Sequence, residues 1–197
     1  KKFVNLLATA PLYPFADEAM GQSLCHTLWY VPGVNAAHCL AQILAEPTAD
    51  NPFRNYKVVN VAGDSVSSQT SPLEEVRTAI STNERTITLS CGRLTTGVSV
   101  PEWTAVFMLA GSADTGCAHY FQTIFRCQSP YREGIKAECY TFDFSPTRTL
   151  TAIDQYISNN LASTEHEARV QKLTEFLHYC PTIVIDGGKR NRMDTDT

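Results

Sequence analysis

The sequence predicts an α/β protein in which a parallel sheet carries helices on both faces and a helical extension follows. Three observations predict it. Short runs rich in β-branched and aromatic residues recur along the chain. Segments of helical period separate them. The run Thr104–Leu109 is apolar at nearly every position, as strands are when both faces of a sheet are covered. Strands that alternate with helices pair in parallel through crossover connections.

In order, residues 1–25 read as an irregular lead-in broken by Pro11, Pro14 and Gly21. His26–Val31 reads as a strand, stopped by Pro32-Gly33, and a helix follows with Ala36, Leu40, Ile43 and Leu44 on one face. Loop from Pro47 to Pro52 leads to a strand at Lys57–Val61, closed by Gly63-Asp64; residues 65–71 are a Ser-rich loop. Ser71-Pro72-Leu73-Glu74 carries a cap, a first-turn proline and a capping-box glutamate, so a helix starts there with Leu73, Val76 and Ile80 as its buried stripe. Strands at Thr86–Ser90, Thr104–Leu109 and Glu138–Phe144 alternate with a helix over 115–128. Helices near 147–160 and 164–179, a short strand Thr182–Ile185 and an Asp-Gly-Gly turn complete the chain. The expected boundary separates 1–148 from an extension at 149–197, truncated at its end.

The net charge of −4 lends no support to nucleic-acid binding through bulk electrostatics. It leaves room for a binder that holds the backbone with loop amides and hydroxyls. No apolar run approaches the ~20 residues of a membrane span and no secretory leader opens the chain, so a cytoplasmic protein without membrane contact is expected. A start at Lys1-Lys2 without Met suggests an excised fragment. Seven scattered cysteines form no C-x-x-C pair, which argues against a disulfide framework and a zinc site. Reduced core thiols and no metal site are the expectation.

Parallel sheets bind ligands beyond the carboxyl ends of their strands, which directs attention to the loops after residues 31, 61, 90 and 109. The third loop reads CGRLTTGVSVPEW. Gly92, Gly97 and Ser99 reproduce the glycine frame of a phosphate loop, but Val98 stands where its lysine belongs, so the chain alone holds no complete nucleotide site. Thr95 and Thr96 offer hydroxyl donors, and Gly97 permits close backbone approach. An ordinary strand-to-loop turn is the alternative. In the helix that follows, Gln122 and Arg126 are four apart and share a face with His119 and Ser129; Ala118, Phe121 and Phe125 form an apolar face. A solvated Arg on an amphipathic helix is the duller reading of that stripe.

Leu94–Pro101 resembles motif V of superfamily 2 helicases and translocases, above all the TTG-hydrophobic-D-x-P variant of type I and type III restriction-enzyme motor subunits. His119–Pro130 resembles their motif VI, Q-x-x-G-R-x-x-R. Leu28–Val34 is similar to motif IV, and Val61–Asp64 falls where the next backbone-contacting loop would lie. Taken over roughly 26–144, the match implies a second RecA-like domain of a DEAD/DEAH-box protein linked to restriction–modification or mobile elements. It implies catalytic roles for Arg126, as an arginine finger, and Gln122. Gly97 and Ser99 would face ATP; Pro32, Gly33, Gly63, Thr95 and Thr96 would meet the nucleic acid, expected to be DNA. ATP and Mg²⁺ would be held mainly by a missing first RecA-like domain of the same polypeptide, and the fragment alone would not hydrolyse ATP. Three positions depart from the pattern: Ser99 replaces Asp, Phe125 replaces Gly, and Ser129 replaces the second Arg, for which Arg132 could substitute from elsewhere. Those departures support the other class considered, a RecA-like docking module that has lost catalysis.

Overall fold

The structure, a computed structural model, describes residues 1–11, 13–63, 70–110, 116–131, 136–160, 166–179, 183–186 and 189–192. It divides into two compact units, one of Lys1–Gly111 with Phe121–Phe144 and one of Ser112–Tyr120 with Ser145–Thr197.

The first unit holds a five-stranded sheet of β1 (His26–Tyr30), β2 (Lys57–Asn60), β3 (Thr86–Ser90), β4 (Ala105–Met108) and β5 (Tyr140–Asp143) in the order β2-β3-β1-β4-β5. Every neighbouring pair is parallel; β1 sits between β3 and β4, with Thr27 beside both Ile87 and Ala105. Right-handed crossovers then dictate the layers. The chain steps one way from β1 to β2 through α3 (Val34–Leu44) and the other way from β2 to β3 through α4 (Pro72–Thr82), so these helices fall on opposite faces. The α3 face is the main core: Trp29, Ala37, Leu44, Phe53, Ile87, Leu89 and Phe107 cluster there, while the buried Val76 and Ala79 of α4 lie outside that cluster. Phe107 is its hub, with ring centroids 5.0 Å from Trp29, 5.3 Å from Phe15 and 4.8 Å from Phe142. Truncating such a ring to Ala costs about 3–5 kcal/mol.

The capping box forms as the sequence predicts, with Glu74 N donating to Ser71 Oγ at 3.3 Å and Ser71 N to Glu74 Oε2 at 3.0 Å. Other expectations need correction. Residues 1–25 are not irregular: they hold α1 (Lys2–Thr9) and α2 (Glu18–Ser23). Val4 and Leu7 bury one side of α1, and the Asp17 carboxylate caps α2 by accepting from Met20 N at 2.9 Å. Helices of so few residues show too little period to be read. In α3 the fully buried residues are Ala37 and Leu44, and Ala36 is only half-buried. Nor are the thiols all in the core: Cys127 is buried, Cys39 is exposed and the other described cysteines are half-buried.

In the second unit α6 (Pro146–Asn160) buries Arg148, Ala152, Ile153 and Ile157. It packs with α7 (His166–Tyr179), where Arg169 forks onto the Asp154 carboxylate at 2.5–2.6 Å. Both partners are about half exposed, so water screens the pair and it adds little to stability. Beyond it β6 (Ile183–Asp186) pairs antiparallel with β7 (Lys189–Arg192), a strand the sequence did not reveal. Among the described residues no helix is long and apolar enough to cross a membrane.

Candidate functional site

Three of the loops singled out by sequence leave adjacent strands. Because β2, β3 and β1 are neighbours, Gly63, the 91–99 loop and Pro32-Gly33 emerge side by side at the carboxyl edge, within roughly 10 Å at ordinary strand spacing. Pro32 is exposed, and Gly33 is the N-cap of α3, whose first turn carries neither a side-chain cap nor an acidic residue. That leaves amide donors and the positive end of the helix dipole facing outward. Gly63 has φ +83°, and a Cβ there would lie 2.8 Å from Val34 Cγ1, so the exit of β2 rests on the first residue of α3. Asn60 supports the same corner. Its side-chain oxygen accepts from Ala62 N at 3.1 Å and its amide faces His38 Nδ1 at 3.2 Å. Asp64 lies outside the described residues.

The loop after β3 is tightly self-bonded. Ser90 Oγ donates to the Arg93 carbonyl and accepts from Gly92 N at 3.3 Å. Leu94 follows with φ +61°, a left-handed conformation that costs a branched residue about 1–2 kcal/mol. The reversal turns Thr95 inward: it is fully buried, and its hydroxyl donates to the Gly92 carbonyl at 2.6 Å. This corrects the expectation for Thr95, whose hydroxyl is committed to shaping the loop and does not face a ligand. Thr96 and Gly97 are exposed; Gly97 has φ +70° with nothing within 4 Å of where a Cβ would stand.

The helix predicted over 115–128 is α5 (Cys117–Ile124), continued by a 3₁₀ turn at Phe125–Gln128. Arg126 sits in that turn, half-buried. Its Nε donates to the Gln122 carbonyl at 2.9 Å and its Nη1 donates to the Val98 carbonyl. The half of the loop that the resemblance assigns to ATP is therefore the half Arg126 touches. One residue on, Ser99 Oγ meets Ser129 Oγ at 3.2 Å, so two of the departures from the motif pattern are bonded to each other. Gln122 keeps an exposed side chain. The stripe of Ala118, Phe121 and Phe125 is not the buried one: Tyr120, Thr123 and Cys127 are buried, while Phe125 is 49% exposed and pairs with Phe121 at 5.6 Å. Arg132 lies outside the described residues.

Lys136 was missed by sequence reasoning, because it stands between predicted elements and belongs to no motif. Its ammonium donates to the carbonyls of Pro101 and Ser129, each at 2.9 Å. Burial draws it below the usual lysine value, opposed by the charges of Cys127, Cys139 and Glu102.

A cleft of about 1120 Å³ opens at the other, amino end of the strands, lined among others by His26, Arg77, Glu84, Glu102, Lys136 and Glu138. Its charges are of both signs and converge on no point. The carboxyl edge, with its uncapped helix start and open glycine, offers donors of the kind anions take. An anion fits there on donor chemistry: among the described residues no carboxylate pairs with Arg126, and Gly97 leaves open space beside it. Among the described residues no three His, Cys, Asp or Glu gather in a group that could hold a metal ion.

No family model matches the sequence. Over 181 residues the chain is 29% identical to a Mycoplasma pneumoniae protein described as "Putative type II restriction enzyme and methyltransferase RM.MpnORF110P C-terminus". That match takes in 87% of this chain but 24% of the relative's length. Among solved structures the chain is similar to domain 2 of the DEAD-box helicase Mss116p, determined bound to an RNA duplex, with a TM-score of 0.51 at 12% identity over 88% of this chain and 65% of that one. At such identity the likeness is one of architecture: the chain has the RecA-like α/β fold of a second helicase domain.

Proposed function

We propose that the chain is the second motor domain of an ATP-dependent DNA helicase or translocase, working with a preceding RecA-like domain in a restriction–modification or mobile-element system. The observation that carries the reading is the bond from Arg126 to Val98, which makes the candidate finger and the candidate grip one connected piece. The similarity to a restriction enzyme and methyltransferase favours DNA over RNA as the track.

In this reading the amides at the start of α3, the backbone at Gly63 and the Thr96 hydroxyl hold successive phosphates of one strand. Gly97, Ser99 and Arg126 face the nucleotide. ATP would supply the γ-phosphoryl group whose transfer to water releases free energy, and Mg²⁺, held mainly by the other domain, would supply charge neutralisation there. Arg126 already spends Nε and Nη1 on carbonyls, so it arrives oriented, and its remaining N–H groups meet charge that grows during transfer. Movement of the 96–99 segment on one side is felt two residues away on the other.

The docking-module reading draws on the departures at Ser99, Phe125 and Ser129, the first and last of which are bonded to each other. One experiment separates the two. The full-length polypeptide is assayed for ATP hydrolysis with and without DNA or RNA, alongside Arg126→Ala and Arg126→Lys. A motor shows DNA-stimulated turnover that Arg126→Ala lowers by on the order of 10³–10⁵ in kcat with little change in KM, and Lys restores little of it. Turnover unaffected by Arg126→Ala would leave the docking module standing, and stimulation by RNA alone would reassign the track.

A further inference from the structure

We infer that Lys136 is a positioning residue of the motor: it holds the helix end that bears Arg126 against the loop that bears Thr96 and Gly97. The inference rests on the motor reading above. Two stretches run side by side, 98–101 and 126–129, joined by two direct hydrogen bonds and by a lysine that bridges them with two more. Arg126 donates to the Val98 carbonyl, Ser99 meets Ser129 at 3.2 Å, and Lys136 reaches both stretches at once, to Pro101 O and Ser129 O at 2.9 Å each.

The chemistry suits this task. Both acceptors are main-chain carbonyls, so they stand wherever the backbone stands and report its position directly. Ser129 is the C-cap of the 3₁₀ turn at Phe125–Gln128, where the last carbonyls of a helix lack internal partners and carry partial negative charge. An ammonium satisfies that end, and its further hydrogens reach a second strand of chain, which no neutral side chain of that length does. Lys136 is only partly buried, yet its charge has been taken out of bulk water to make these bonds. Among the described residues, the hydrogen bonds that would remain between the two stretches without Lys136 are that of Arg126 and the hydroxyl pair.

A residue that acts by placing Arg126 has a signature that a merely structural one lacks. In the full-length polypeptide Lys136→Met is expected to lower kcat for ATP by roughly 10- to 100-fold while KM stays within about twofold, since small misplacements of catalytic groups have effects of that size. The decisive reading is the double variant. With Arg126→Ala in place, Lys136→Met is expected to cost nothing more, because the group it positions is gone. Independent losses that multiply would overturn the inference, as would wild-type kcat in Lys136→Met. Amide hydrogen exchange gives a second readout that needs no ATP: exchange at 98–101 and 127–129 should rise in Lys136→Met, and unchanged exchange overturns the brace itself. If Lys136→Met does not fold, Lys136→Arg, which keeps the charge but cannot seat its planar fork on the same two carbonyls, replaces it in both measurements. A wild-type protein without nucleic-acid-stimulated turnover overturns the motor reading instead, and the positioning role with it, even where exchange shows the brace to be present.

Discussion

Arg126 donates a guanidinium N–H to the carbonyl of Val98, across the 28 residues that separate them in sequence. That bond changes what loss of Arg126 means for the fold. A solvated helix arginine is removed at little cost, within about 0.5 kcal/mol. Arg126→Ala also frees the Val98 carbonyl, so a destabilisation of about 1 kcal/mol is expected in urea unfolding. A stability loss of that size together with a collapse of kcat marks a residue that both holds the loop and serves the nucleotide.

Thr95 and Thr96 are expected to part company. Thr95→Val removes the buried bond to the Gly92 carbonyl and should cost about 1–3 kcal/mol, read as a lowered unfolding midpoint. Thr96→Val should leave stability within about 0.5 kcal/mol yet reduce DNA-stimulated turnover more than basal turnover. Equal melting temperatures for the two variants would show that the turn at Leu94 does not bury Thr95 as described.

Gly33, Gly97 and Gly63 at the carboxyl edge form a graded series toward Ala. Gly33 has extended backbone and open space, so Gly33→Ala should be close to neutral. Gly97→Ala meets no atoms but must hold φ +70°, a cost of about 1–2 kcal/mol. Gly63→Ala has the same conformational problem at φ +83° and drives a methyl into Val34, so it should be the most damaging of the three. Chemical denaturation of the three variants checks the order.

His26 carries a pH dependence. Burial lowers its imidazole below 6.5, with Glu102 opposing, and Nδ1 lies 3.1 Å from Thr86 Oγ1. The unfolded chain binds the proton near 6.5 while the folded chain resists it, so below that pH the unfolded state holds more protons. Stability should therefore be flat above 6.5 with respect to this group and fall as the pH drops below it. Unfolding midpoints compared between about pH 7.5 and about pH 5 should show a smaller fall in His26→Asn than in the wild type. Parallel falls would assign the effect to carboxylates.

Cys127 is expected to be chemically silent. Burial, with Cys139 beside it, pushes its thiol up to about 12, and its Sγ is tied to the Ile124 and Tyr140 carbonyls at 3.3 and 3.4 Å. At pH 8 only about one thiol in 10⁴ would be ionised. Alkylation of the native protein, followed by peptide mass mapping, should label the exposed Cys39 and spare Cys127 until the chain is unfolded.

What the sequence made legible was local. The capping box at Ser71–Glu74 and the five strands need only nearest neighbours to be read, and they formed where expected. What was hidden depended on backbone reversals and on long-range partners. Thr95 and Thr96 are alike in sequence; a left-handed Leu94, which no propensity favours, sends one inward and leaves the other out. The apolar stripe at Ala118, Phe121 and Phe125 was plain, but the buried side of that helix runs through Tyr120, Thr123 and Cys127. Arg126 was found by its spacing from Gln122, whereas its partner at Val98 came only with the fold. Lys136 had no signal at all, since its meaning lies in bringing the nearby Ser129 carbonyl together with the Pro101 carbonyl, 35 residues away.

The strand order has a consequence for how the chain reaches this state. Strand β1 does not pair with β2, the strand made next; it lies between β3 and β4, and His26 finds Thr86 sixty residues later. The centre of the sheet therefore stays open until β3 has been made, and closes on both sides only with β4. Such long-range parallel pairing makes for slow assembly with apolar strands exposed in the meantime. A nascent chain halted before residue 86 would hold β1 with both edges unpaired and Trp29 without Phe107, though Phe15 and Phe53 are already made, and its survival would depend on being shielded rather than on being folded.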